Sequence, residues 1–362
     1  MPHDGRVLMA DDADDALALR AFELVLAKTR RAVEPELARI WKAKEQRFAS
    51  LGSDVRGALR TARGLTLRGG KRFRAAVLAI AYDGLASRPR RAVKVRAGAA
   101  MELLQTYLLI QDDWMDRDDV RRGGPAAHAE LARRYRDAHS GESMAILASD
   151  FALNCAVELL AQSAASSGAF TGVMGTFGRL HEGVVVGQMI DVSGSRVSVA
   201  RMHGLKTSSY TTQMPLLIGA SLAGASPSVQ KQLDAYAQAL GLAFQLRDDL
   251  FDVFGNEREL GKPLLSDLRE GKSNAVLDLA RKRLGERQWR ALVKAATSKP
   301  TSRTSIKKAV RMLEECGVKD EASARLSKLC SRAQQQVTML ALRKRAKLAL
   351  EGASLALRFE PG

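Results

Sequence analysis

Carboxylates grouped in threes and spaced one helical turn apart are the residues of this chain best suited to chemistry. Gln111-Asp112-Asp113-Trp114-Met115-Asp116 and Gln245-Leu246-Arg247-Asp248-Asp249-Leu250-Phe251-Asp252 each carry an Asp-Asp-x-x-Asp pattern at the end of an apolar stretch. On a helix the first and last Asp of such a pattern share a face, where they repel each other unless a cation occupies the gap. Carboxylate oxygens are hard ligands suited to Mg²⁺, which also takes water and phosphate oxygens. Two such faces opposed across a helical bundle would hold metal ions and a diphosphate between them. The pattern alone is weak. Asp11-Asp12-Ala13-Asp14-Asp15 satisfies it as well, in a polar flank where it reads as a solvated charge run. Context separates the other two copies: each follows a long apolar helix, and each has cations downstream, Arg121 and Arg122 after the first and Lys262 after the second.

The elements that must position these groups read as helices. Ala and Leu are abundant in the 362 residues, Pro and Tyr are sparse, and 46% of the chain is hydrophobic, so an all-α fold with a sizeable core is expected. Residues 1–15 read as an acidic disordered flank, and Pro35 as a break between two helices within 16–51. Residues 64–70 read as a loop, 73–85 as a helix, and 92–115, apolar and free of breakers, as a buried helix. Further helices are expected over 144–161, 170–192, 199–222, 228–251 and 274–284, with a turn at 163–168. The last helices are expected to run from about 305 to 357. Strand-like alternation is nowhere sustained, and one large helical bundle around a central active-site cavity is the economical architecture.

The net charge is +17 with a pI near 10.1. Residues 281–362 hold 20 Lys/Arg against 7 Asp/Glu, so the surplus sits in the C-terminal quarter, away from the acidic motifs. Solvated basic helix faces account for it, and no zinc-finger, RRM-like or basic-zipper pattern accompanies the charge to favour nucleic acid. Cys155, Cys316 and Cys330 lie far apart, with neither metal-ligand spacing nor a disulfide framework, which fits a reducing cytoplasm. No apolar signal region opens the chain, and no apolar run reaches the roughly 20 residues of a membrane span.

From about residue 36 onward the sequence resembles the trans-isoprenyl diphosphate synthase family. Five motifs stand in the family's order. Gly69-Gly70-Lys71-Arg72-Phe73-Arg74 resembles its isopentenyl diphosphate motif, and Asp112-Asp113-x-x-Asp116 with Arg121-Arg122-Gly123 its first aspartate-rich motif. Lys206-Thr207 resembles its Lys-Thr pair, and Phe244-Gln245 with Asp248-Asp249-x-x-Asp252 its second aspartate-rich motif. Gly261-Lys262-Pro263 with Ser266-Asp267-Leu268 completes the set.

The resemblance implies an isoprenoid synthase domain over 36–362, preceded by a flank and first helix at 1–35. It implies three Mg²⁺ per active site and a homodimer. The substrates would be isopentenyl diphosphate and an allylic partner: dimethylallyl, geranyl or farnesyl diphosphate. By residue, Asp112, Asp116 and Asp248 would bind metal, with Asp113, Asp249 and Asp252 supporting them. Arg121, Lys206 and Lys262 would neutralise the leaving diphosphate. Gly70, Lys71, Arg74, Gln105 and Arg122 would hold the second substrate, and Thr207 and Gln245 would stabilise positive charge.

In this family the fifth and fourth residues before the first Asp set the floor of the product tunnel; here they are Tyr107 and Leu108. An aromatic followed by a smaller residue resembles synthases of a C20 product, geranylgeranyl diphosphate, with farnesyl diphosphate the alternative. The C-terminus, Arg358-Phe359-Glu360-Pro361-Gly362, lacks the basic tripeptide of some members, and Gly124 stands where a bulkier or basic residue is common. A terpene cyclase would replace the second Asp triad. A non-catalytic partner subunit would have lost aspartates or Lys71, and all are present.

Overall fold

The computed structural model describes residues 10–195, 197–256, 264–297 and 302–359. Among these the chain is helical apart from short connections and a two-residue antiparallel pairing of Val120–Arg121 with Gly124–Pro125. Helices α1 (Ala10–Arg47), α2 (Ser53–Leu67), α3 (Phe73–Leu85) and α4 (Arg91–Met115) precede that hairpin. After it come α5 (Ala127–Tyr135), α6 (Ala138–Ser167), α7 (Phe170–Ser193) and α8 (Val199–His203). A π-helical stretch, Gly204–Gln213, carries α8 directly into α9 (Met214–Leu222). Then follow α10 (Pro227–Phe254), α11 (Ser266–Glu270), α12 (Ala275–Arg283), α13 (Glu286–Thr297), α14 (Arg303–Glu315), α15 (Val318–Met339) and α16 (Lys344–Leu355).

Helix α4 is the axis of the bundle. Its side chains Met101, Leu103, Leu104 and Ile110 are fully buried, and α1, α3 and α6 pack around it. Helix α6 presents Ala145, Ala148, Ser149, Ala152 and Ala156 as its buried stripe, small residues that let its backbone lie close to its neighbours. Asp137 caps it, accepting from the Ser140 amide at 2.8 Å, and Gly168 ends it in a left-handed turn. By length and composition α6 alone among the described helices is apolar enough to cross a membrane. Packing of α6 against α4 and α5 accounts for the apolar face it buries.

Pro35 does not break the first helix, which runs unbroken from Ala10 to Arg47. The proline removes one backbone donor, but Val33, Leu37, Ile40 and Trp41 continue one buried stripe across it and hold the helix together through tertiary packing. The expected disordered flank is likewise helical from Ala10. Residues 64–67, read as loop, close α2 instead, and the turn expected at 163–168 narrows to Gly168.

The single helix expected over 199–222 is continuous, with π geometry at its centre. Ser209 and Thr212 hydroxyls donate back to the carbonyls of Leu205 and Ser208, and Thr212 also donates to the Ala237 carbonyl of α10 at 2.7 Å. Such back-bonding loosens the ordinary i to i−4 ladder. Glycines let the widened turn fit. A Cβ on Gly187 of α7 would lie 2.5 Å from the Lys206 nitrogen, and one on Gly241 of α10 the same distance from the Ser208 Cβ.

Candidate active site

The end of α4 delivers the first triad. Asp113 points inward with its side chain wholly buried, and the Arg121 guanidinium closes on it, Nε donating to Oδ1 at 2.6 Å. Asp112 and Asp116 lie on the other face, partly exposed. Lys206 reaches Asp112 at 3.0 Å and Asp191 of α7 at 2.8 Å. Burial pushes Asp112 up, but Lys206 and Arg121 outweigh it and hold the carboxyl below the usual range. Asp113 is pushed by burial to about 6 against the pull of Arg121, and Asp116 is raised by burial and by Asp112. Burial opposes charge on Lys206, yet Asp112 and Asp191 keep it protonated well above its ordinary range.

The second triad divides differently. Asp248 is exposed on α10. Asp249 is buried, accepting from the Ala275 amide at 2.7 Å and from Gln245 Nε2 at 2.8 Å. Asp252 accepts from Ser266 Oγ at 2.5 Å and the Asp267 amide at 3.3 Å. Asp113, Asp249 and Asp252, expected beside the metal, therefore take up scaffold contacts, while Asp112, Asp116 and Asp248 are the members of the two triads with accessible carboxylates. One stretch, 264–275, touches both triads. It holds Asp252 through Ser266 and Asp249 through Ala275, and its Lys272 reaches Asp116 at 3.0 Å and Asp118 at 2.9 Å. His203 Nδ1 lies 3.8 Å from Asp249, close behind Lys206.

The donor set suits a hard divalent cation. Asp112 presents one carboxylate oxygen to Lys206 at 3.0 Å and the other to Arg121 at 3.7 Å, hard oxygen donors that the two cations hold ionised. Among the described residues no three ligating side chains converge on one point. A Mg²⁺ held by these carboxylates would draw its remaining ligands from water and phosphate oxygens.

A second cationic cluster lies on the loop between α2 and α3. Arg72, in left-handed backbone at φ 58°, is buried against Glu102 at 3.2 Å. Arg74 donates to Gln105 Oε1 and Thr211 Oγ1, both at 2.8 Å, and stacks over Tyr210. Arg122, also left-handed at φ 51°, lies beside Gly70, where a Cβ would come within 3.5 Å of its guanidinium. Burial and the like charges of Arg72 and Arg74 lower Arg122, and Lys71 is exposed at the rim. So crowded a set of cations calls for an anion.

Below Asp112 and Lys206 opens an apolar cavity of about 400 Å³, lined by Tyr107 and Leu108 of α4, Val184, Val185 and Met189 of α7, and Tyr210 of the π stretch.

Residues 58–313 match the polyprenyl synthetase family model. The chain belongs to the polyprenyl synthetase family. Geranylgeranyl diphosphate synthase of Saccharolobus solfataricus is 32% identical over 254 residues, covering 68% of this chain and 73% of the relative. Farnesyl diphosphate synthase of Geobacillus stearothermophilus is 35% identical over 226 residues, 59% of this chain and 72% of that one. Among solved structures, geranylgeranyl pyrophosphate synthase of Corynebacterium glutamicum, complexed with isoprenyl diphosphate and magnesium, superposes with a TM-score of 0.85 at 30% identity, covering 92% of this chain and 99% of the other. The polyprenyl synthetase is accordingly all-α and a prenyltransferase.

The structure sets Asp112 and Lys206 in the cavity wall, pairs Asp112 with Arg121 and Lys206 and Asp116 with Lys272, joins Arg74 to Gln105 and sets Arg122 beside Gly70. Thr207 and Gln245 stand half-buried on the π stretch and α10. Lys262 lies outside the described residues. Sequence reasoning missed Lys272 and Asp191 of this polyprenyl synthetase. Asp191, an isolated acid on an apolar helix, three residues after Gln188 on the same face, carried a usable signal. Lys272 carried none, because only the fold of 264–275 takes it to Asp116.

Proposed function

We propose that this polyprenyl synthetase condenses isopentenyl diphosphate with allylic diphosphates up to farnesyl diphosphate, stops at geranylgeranyl diphosphate, and uses three Mg²⁺ per active site. The apolar cavity that opens beside Asp112 and Lys206 and has Tyr107 in its lining carries this reading, because it offers a prenyl chain an apolar slot next to a site for its diphosphate.

Asp112, Asp116 and Asp248 would hold the metal, and bound Mg²⁺ supplies Lewis-acid neutralisation of the departing diphosphate. Arg121, Lys206 and Lys272 present fixed positive charge to the same oxygens, and Lys262 joins them by resemblance. These cations stabilise charge that develops as the allylic C–O bond breaks. Gly70, Lys71, Arg74, Gln105 and Arg122 grip the diphosphate of isopentenyl diphosphate and aim its double bond at the allylic carbon. The new C–C bond forms there, and a proton is then lost to the departed diphosphate. The Thr207 hydroxyl and the Gln245 amide, whose nitrogen is tied to Asp249, face the developing positive charge.

We also propose that residues 36–362 form the catalytic domain. The exposed apolar side chains Leu147, Val186 and Met189 of α6 and α7 support a homodimer built on that face, and the three free cysteines fit a cytoplasmic location. Incubation with isopentenyl diphosphate, Mg²⁺ and each of the C5, C10 and C15 allylic donors, followed by sizing of the products, tests the reading. A C20 end product is expected; a stop at C15 would make the enzyme a farnesyl diphosphate synthase, and no product from any donor would overturn the proposal.

A further inference from the structure

We propose that Arg68, at the C-terminal end of α2, is a positioning residue that sets Arg121 and Arg122 in place, so that one short hairpin offers a cation to each of the two diphosphates. The inference rests on the two-substrate function proposed above.

The hairpin is too short to be stable by itself. It pairs only Val120–Arg121 with Gly124–Pro125, and even longer two-stranded ribbons are marginal in water. Its turn is Arg122-Gly123, both left-handed at φ 51° and 71°, a conformation that suits glycine and disfavours arginine. Its two arginines go to different places. Arg121 closes on Asp113. Arg122 lies beside Gly70 and donates to the Arg68 carbonyl at 3.3 Å.

Arg68 restrains the hairpin from outside. Its Nη1 donates to the Arg121 carbonyl at 3.1 Å and to the Pro125 carbonyl at 2.9 Å, one on each strand. Glu130 of α5 faces Nη2 at 3.9 Å and itself accepts from Thr61 Oγ1 at 2.7 Å, which orients the far edge of the guanidinium. Gly124 makes room for this grip. Unlike Gly123 it has no positive φ, so its backbone would admit a side chain. The space is taken instead: a Cβ there would lie 2.5 Å from Arg68 Nη1 and 2.6 Å from Cζ. Arg68 therefore holds the backbone of Arg121, and Arg122 holds the backbone of Arg68. This reciprocal pair ties the loop of Gly70, Lys71 and Arg74 to the hairpin that carries Arg121 to the first acidic triad.

Steady-state kinetics of the full-length enzyme with Mg²⁺ test this, varying isopentenyl diphosphate at saturating farnesyl diphosphate and then the reverse. Arg68→Ala should raise KM for isopentenyl diphosphate about tenfold or more, since misplacing a substrate-holding group by about 1 Å costs up to about 10²-fold. A merely structural role would lower kcat with the folded fraction and leave KM unmoved. Gly124→Ala probes the same contact without truncating Arg68. Its methyl group displaces the guanidinium, the mobile end of that side chain, and should reproduce the rise in KM. In the Arg68→Ala background Gly124→Ala should add nothing, because the contact it breaks is already gone. Thermal unfolding reports whether each variant is folded. A KM for isopentenyl diphosphate unchanged in Arg68→Ala overturns the proposal, and so do penalties that multiply in the double variant. Both results leave prenyl transfer standing, whereas a wild-type enzyme that transfers no prenyl group from any donor overturns that function and this inference together.

Discussion

Replacing Asp249 and Asp248 separately by Ala should have opposite consequences, although the two are adjacent in one motif. Asp249→Ala deletes the acceptor of the Ala275 amide at 2.7 Å and of Gln245 Nε2 at 2.8 Å, at a position 1% exposed. Each buried donor left unpaired costs about 1–3 kcal/mol, so the loss is about 2–6 kcal/mol. Scaled to a chain of 362 residues, the entropy of unfolding converts this to a fall in melting temperature of about 3–8 °C. Asp248 is exposed, and its removal should cost less stability than that of Asp249 while lowering turnover about 10²–10³-fold. The assay is thermal unfolding in EDTA, which removes stabilisation by bound metal, paired with turnover across a Mg²⁺ titration. If Asp249→Ala melts with the wild type in EDTA and loses Mg²⁺ dependence as Asp248→Ala does, the triad is a uniform ligand set and the division of roles is wrong.

Tyr107→Ser should shift the product distribution toward chains longer than C20; unchanged chromatograms would remove Tyr107 from the floor. Glu102→Ala removes the buried carboxylate 3.2 Å from the Arg72 guanidinium and leaves Glu34 at 3.4 Å as its counter-charge, so the fold should lose stability in urea unfolding by about 3 kcal/mol, the low end for breaking a buried pair. His203 is lowered by burial to about 4. Its folded form therefore binds a proton later than the unfolded chain does, and the stability it confers, full above about pH 6.5, falls by up to roughly 3 kcal/mol as pH drops toward 4. Asp113 and Asp249, raised by burial, act in the opposite sense, so the effect is read as a difference. His203→Gln should flatten the acid limb of the stability curve relative to wild type, and parallel limbs would contradict it.

Apolar residues recurring at helical spacing made α3, α4 and α7 legible in the sequence almost to the residue, even though α7 carries five glycines. Pro35 misled because a local rule was outweighed by buried residues on both sides of it. The π turn was invisible because its hydroxyl bonds and the glycines that accommodate it act across three helices. The acidic triads were legible as a pair, and on the first the helical period separates Asp112 and Asp116 from Asp113. On the second the same period predicts Asp248 and Asp252 on one face, yet Asp252 is covered by Ser266. That covering, like the reach of Lys272 to Asp116, belongs to a segment folded back over the end of α10 and has no trace in spacing.

The most direct test is the release of inorganic diphosphate from farnesyl diphosphate in the presence of isopentenyl diphosphate, followed first in EDTA and then through a Mg²⁺ titration. Two opposed acidic faces gripping a cation and a departing diphosphate predict no release in EDTA and a saturable recovery with Mg²⁺ that Asp112→Ala abolishes. Release that proceeds without divalent metal, or that survives Asp112→Ala undiminished, would contradict the account.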